Sequence, residues 1–111
     1  MTINQKDIVL LPYPFSNLKD KKIRPALIIS NNSFNGRLND CVALPLTTVI
    51  KTEPYSISIN NEDLSSGKLL KESRIRVDKI FTVEKNLISM KIGTVKDDIL
   101  KKIKLELLKI F

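Results

Sequence analysis

Arg24-Pro25-Ala26-Leu27-Ile28-Ile29-Ser30-Asn31 is the longest apolar run in the first half of the chain, with a cation at its entrance. Proline has no N–H to donate and pushes the residue before it toward extended backbone. Arg24 is therefore set in a β-like pose where a strand begins. Ala26 to Ile29 is apolar without clean alternation, the pattern of a strand buried on both faces. Ser30-Asn31-Asn32 then supplies turn chemistry. A permanently charged guanidinium thus stands at the rim of a rigid apolar element, as a functional cation or as a salt-bridged structural one.

The 111 residues make a single domain, 1–111, long enough to bury a core. With 42% apolar and 28% charged residues the composition is that of an ordinary soluble globular protein. No run approaches a membrane span, and Met1 to Asp7 lacks a signal-peptide pattern, so a cytoplasmic protein is expected, with no membrane partner. The lone Cys41 excludes an internal disulfide, and the absence of histidine excludes histidine-dependent triads and argues against a zinc site. Neither a metal nor another cofactor is expected. A net charge of +7 favours anionic partners, with nucleic acid first and an acidic protein second.

Asp7 to Leu11 reads as a first strand ending at Pro12-Tyr13-Pro14-Phe15, where two prolines forbid interior ladder positions. Ser16 to Lys22 is a polar loop. Tyr13 and Phe15 beside it are core aromatics or base-stacking groups on a basic flap. Asn31 to Asn39 reads as loop. Cys41 to Thr48 is a third strand, whose Pro45 marks an edge or a bulge just before Thr47 and Thr48. Tyr55 to Asn60 alternates as a half-buried strand. Asn61 to Leu64 forms a short helical turn that Ser65-Ser66-Gly67 breaks.

In Ser73-Arg74-Ile75-Arg76-Val77-Asp78 a period of two sends Ile75 and Val77 into the core and puts Arg74, Arg76 and Asp78 on the opposite face. Such a row is an ion-pair ladder on a solvated face, or a phosphate-binding row whose carboxylate orients a guanidinium. Phe81 to Ile88 is extended chain or a short helix, and Met90 to Val95 is a last strand with a bulge or close-packing point at Gly93. The C-terminal segment is a helix with Ile99, Ile103 and Leu107 on one face, flanked by Leu100 and Ile110, the stripe ending at Phe111. Asp97 and Asp98 suit its first turn, and Thr94 with Asp97 forms a candidate capping box. The expected fold is mainly β with a C-terminal helix, a strongly bent antiparallel sheet of about five to seven strands.

These blocks in this order resemble the MazF/PemK family of toxins, the ribonuclease partners of type II toxin–antitoxin pairs. The likeness is carried by Lys6 to Leu10 with Pro12 to Phe15, by Arg24 to Ser30, by Val42 to Thr47, by Glu72 to Ile80, and by Ile92 to Val95 before the terminal helix. The resemblance implies an SH3-like barrel of the MazF/PemK/CcdB type that pairs as a homodimer. It also implies metal-independent cleavage of single-stranded RNA, through transfer to the neighbouring 2′-hydroxyl, and a cognate antitoxin. Arg24 matches the family's catalytic arginine and Thr47 its catalytic threonine. Arg76 and Asp78 match an arginine–aspartate pair of the Kid/PemK branch, whose loop histidine has no counterpart here.

In that chemistry Arg24 stabilises the phosphorane and donates a proton to the leaving group, Thr47 holds the scissile phosphate, and Asp78 is the only nearby carboxylate for a general base. Beside arginines, its pKa is expected to be lowered and its basicity weak. Arg74, Arg76, Ser73, Lys22 and Phe15 are the expected RNA-contacting side chains. The charge predicts an acidic antitoxin segment with apolar residues interspersed. Two other readings stay open at this point: a non-nuclease poison of the same fold, as in the gyrase-inhibiting CcdB toxins, and a catalytically silent RNA-binding barrel.

Overall fold

Strands β1 (Asp7–Pro12), β2 (Ile23–Ile28) and β3 (Asp40–Thr47) form the middle of one antiparallel sheet in the computed structural model, which describes residues 1–12, 22–49, 51 and 53–111. The expected alternation failure in β2 has its cause in two packed faces. Leu27 faces one apolar cluster with Ile8, Leu44, Ile75 and Val77, while Ala26 and Ile28 face another with Val9, Leu11, Cys41 and Ala43. All of these are fully buried or nearly so. Each leucine, isoleucine or valine among them contributes about 1.5–3 kcal/mol of burial, which anchors this three-strand centre.

Outward from the centre, β1 pairs with β8 (Met90–Val95) and β8 with β5 (Leu64–Gly67). On the other side β3 pairs with β6 (Ser73–Arg76) through Leu46 and Thr47, and with β7 (Phe81–Glu84) through Asp40 to Ala43. A fourth strand, β4 (Ser56–Ile59), closes that edge against β6. Among the described residues the sheet has eight strands, against the five to seven expected. The two short strands β5 and β7 come from stretches read as a turn and as extended chain or helix. The sheet bends into an SH3-like half-barrel, and α2 (Asp97–Ile110) packs against β4 and the turn at Val77–Lys79.

Pro45 is neither on an edge strand nor at an isolated bulge. It lies where the outer partner of β3 changes from β7 to β6, so its missing N–H costs no ladder bond on that side. Asn31 to Asn39 is not all loop: α1 (Asn32–Arg37) forms there, its N-terminus capped by the Asn31 side chain, which accepts from Phe34 N at 2.9 Å. Asn32, Asn35 and Gly36 have weak helix propensity, and tertiary bonds supply the rest. The buried Asn35 amide donates to Ser30 O at 2.9 Å and its side-chain oxygen accepts from the Ser30 hydroxyl.

The capping box at Thr94 does not form. Lys96 occupies the N-cap of α2 without a side-chain bond, because Thr94 is committed to β8 and reaches Asp7 Oδ1 instead. Ile99, Ile103 and Leu107 do face the core, but Ile110 and Phe111 are exposed, so the docked stripe stops at Leu107. Gly93 is a close-packing point, as expected, and its neighbour across the ladder is Gly67. Gly67 has φ +81°, and a Cβ there would stand 2.1 Å from Ile92 O. Gly67→Ala is expected to destabilise the fold by about 2 kcal/mol or more through strain and displacement of β8, read as a lower urea midpoint at constant m.

Candidate active site

The β2–β3 ladder runs from Ile28–Ala43 to Ala26–Pro45 and ends there. Continuing the same register by two residues would set Arg24 opposite Thr47. Instead, Pro25 offers no donor to carry the ladder on, and β3 turns to pair with β6. The opening is a groove of about 230 Å³ lined by Arg24, Pro45, Leu46, Thr47, Arg76 and Lys79. It is the uncovered continuation of the sheet face that, further along, carries Ala26, Ala43 and Cys41 in the second cluster. Strand alternation makes one end of this face apolar and the other cationic.

Three sequence-predicted residues thus meet: Arg24, Thr47 and Arg76. Arg24 is exposed and, among the described residues, makes no salt bridge. Thr47 Oγ1 accepts from Val49 N at 3.2 Å, and a hydroxyl that accepts one bond still has its own proton to donate. Arg74 is the register partner of Thr47 on β6 and shares the face, but it is turned to Ser56, whose Oγ accepts from Nε at 3.1 Å and from Nη2 at 2.9 Å.

Asp78 leaves the strand row. β6 ends at Arg76, and the 3-10 turn Val77–Lys79 carries Asp78 round, where it accepts from Arg76 Nε at 3.1 Å and Nη2 at 3.0 Å. The row is therefore a bonded guanidinium–carboxylate pair, not three side chains in register. Those hydrogen bonds and the Arg76 charge hold the Asp78 carboxyl below the usual carboxylate range. A depressed folded-state pKa gives stability that is present above the unfolded value and lost as pH falls through the folded one. Asp78→Asn should therefore cost no more than about 1 kcal/mol at neutral pH, and the gap to wild type should close from about pH 4 downward, measured by thermal melts.

Ser73 and Lys22 do not join the groove. Ser73 is buried, donates to Lys71 O at 3.1 Å and lies on the other face of β6 with Ile75. Lys22 is exposed just ahead of β2. Phe15, with Tyr13, lies outside the described residues. Lys79 was missed by sequence reasoning because what brings it to the groove is a 3-10 turn, in which residues three apart share a side, and the sequence does not announce that turn. Burial pushes the Cys41 thiol up to about 11, which rules it out as a nucleophile at neutral pH.

A second groove, about 320 Å³ and mostly apolar, lies round the rim and is lined by Leu10, Pro25, Thr48, Leu69, Leu70, Lys71, Ser73 and Ile92. Pro25 and Thr48 follow Arg24 and Thr47 and face the opposite way, so the same strand ends border both grooves. A larger cleft of about 480 Å³ at Asn39, Glu84, Lys85 and Asn86 contains none of the predicted site residues. Among the described residues no helix is long and apolar enough to cross a membrane.

The fold is shared with an endoribonuclease in complex with its cognate antitoxin from a mycobacterial species, at 23% identity, covering 96% of this chain and 92% of that one with a TM-score of 0.78. It is shared equally with MazE–MazF from Deinococcus radiodurans, at 18% identity, 99% and 96% coverage and a TM-score of 0.79. At such identities the likeness is one of fold. A comparison of the sequence with curated proteins finds no match. A family model does match, that of the PemK-like, MazF-like toxins of type II toxin–antitoxin systems, over residues 4–111. Matched along nearly its whole length and folded as these toxins are, the chain belongs to that family.

Proposed function

We propose that this toxin is a metal-independent endoribonuclease that cleaves single-stranded RNA at particular sequences. The observation that carries the reading is the single groove shared by Arg24 and Thr47. The 2′-hydroxyl gives its proton to water as its oxygen attacks the adjacent phosphorus, the bond to the 5′-oxygen breaks, and the products are a 2′,3′-cyclic phosphate and a 5′-hydroxyl. Negative charge grows on the phosphorane and leaving oxygens, and a fixed guanidinium binds two such oxygens better in the transition state than in the ground state. Arg24 takes that role and protonates the departing oxygen, while Thr47 donates to the phosphate. Arg76 and Lys79 bind the flanking backbone, with Arg74 next along the strand.

The protein acts in the cytoplasm as a homodimer and is silenced by its antitoxin. The two neighbouring grooves, one cationic and one apolar, suit an antitoxin segment in which acidic and apolar residues are interspersed. Raising salt is expected to weaken that complex, and an affinity indifferent to ionic strength would refute the charge-based account. The test of the activity itself is incubation with end-labelled single-stranded RNA in EDTA. Fragments bearing 5′-hydroxyl ends support the reading. Intact RNA with inhibited gyrase would make the protein a poison of the other kind, and intact RNA shifted on a gel would make it a binding barrel.

A further inference from the structure

We infer that Asp78 is a positioning residue, whose carboxylate aims the Arg76 guanidinium into the groove and takes no proton from the substrate. The inference rests on the nuclease reading and deepens it. Its basis is geometric. Arg76 and Lys79 line the groove, whereas Asp78 does not. The 3-10 turn that returns Lys79 to the groove carries Asp78 to the flank of Arg76, with its side chain 31% exposed. Both carboxylate oxygens accept from that neighbour, Oδ1 from Nε and Oδ2 from Nη2.

A general base must reach the 2′-oxygen with a free lone pair aligned on its proton. For Asp78 to do so it would have to break a two-point charged fork and turn toward the groove. The fork does something else well. It fixes the plane and direction of a long side chain before RNA arrives, so less freedom is lost on binding. Among the described residues the charged groups facing Asp78 are Arg76 and Lys79, and both favour its ionised form. That carboxylate therefore stays charged and bonded across the pH range in which RNA cleavage is assayed.

The two roles separate in a double-mutant cycle on cleavage of a single-stranded RNA oligonucleotide. If Asp78 acts through Arg76, Asp78→Ala lowers kcat/KM about tenfold in the wild-type background and has no further effect in Arg76→Ala. The pH–rate profile of Asp78→Ala should then run parallel to that of the wild type. The same pattern should hold for binding of an oligonucleotide with a 2′-deoxy sugar at the cleaved position, which cannot react. Asp78→Asn, closer in size, repeats the cycle and guards against loss of the turn, with melting curves for each variant. An equal loss in both backgrounds, or an acid limb that vanishes with Asp78, would overturn the positioning role while leaving the nuclease intact. Wild-type protein that neither cuts nor binds these RNAs would overturn both.

Discussion

Arg24→Ala is expected to lower RNA cleavage by about 100- to 1000-fold in kcat, with a melting temperature within about 2 °C of wild type. The asymmetry follows from where the residue stands. Its backbone is held in the β1–β2 ladder opposite Leu11, and alanine keeps that pairing. Its side chain is exposed and, among the described residues, bridges no carboxylate, so its removal strands no buried charge. What is lost is a cation beside the phosphorane. If that cation served ground-state binding only, KM would rise and kcat would hold. Arg24→Lys keeps the charge but not the planar fork and should recover only part of the rate. Thr47→Val, which removes one neutral donor, should cost about tenfold. Arg24→Ala cutting at near wild-type speed would end the proposal.

The site was legible where covalent geometry dictated it, and obscure where tertiary contacts did. Proline after Arg24 removes a ladder donor whatever else the chain does, so the parting of β2 and β3 was written locally. Ile75 and Val77 turned inward as a period of two demands. Asp78 left that row because β6 stops at Arg76, and no periodicity announces a strand end inside Arg76-Val77-Asp78-Lys79. Parity along β6 puts Ser73 on the buried face with Ile75, apart from Arg74 and Arg76. The helix at Asn32–Arg37 was invisible because its stability comes from Asn35, a polar residue buried by partners 30 and 85, rather than from propensity. The two short strands, β5 and β7, are defined by what they pair with and carry little pattern of their own.

The largest stability effect is expected at Ile103→Ala, at about 3 kcal/mol, or roughly 10 to 20 °C in melting temperature. Ile103 is fully buried, and with Ile99 it is how α2 seals the cluster containing Ile75 and Val77. Those two residues alternate with Arg74, Arg76 and Asp78, so the helix steadies the strand that carries the groove's second guanidinium. Below its lowered melting point the variant should cleave RNA at nearly the wild-type rate, because Ile103 is not among the residues that line the groove. Leu105→Ala is the control on the same helix: Leu105 is 63% exposed, and its truncation should stay within about 0.5 kcal/mol. Leu105, Leu108 and Phe111 recur every three residues along that outer side and are all largely exposed. A loss at Leu105 as large as that at Ile103, growing with protein concentration in size, would mean that the outer side is covered in solution by a second copy of the chain. The account of α2 as a one-sided lid would then be wrong.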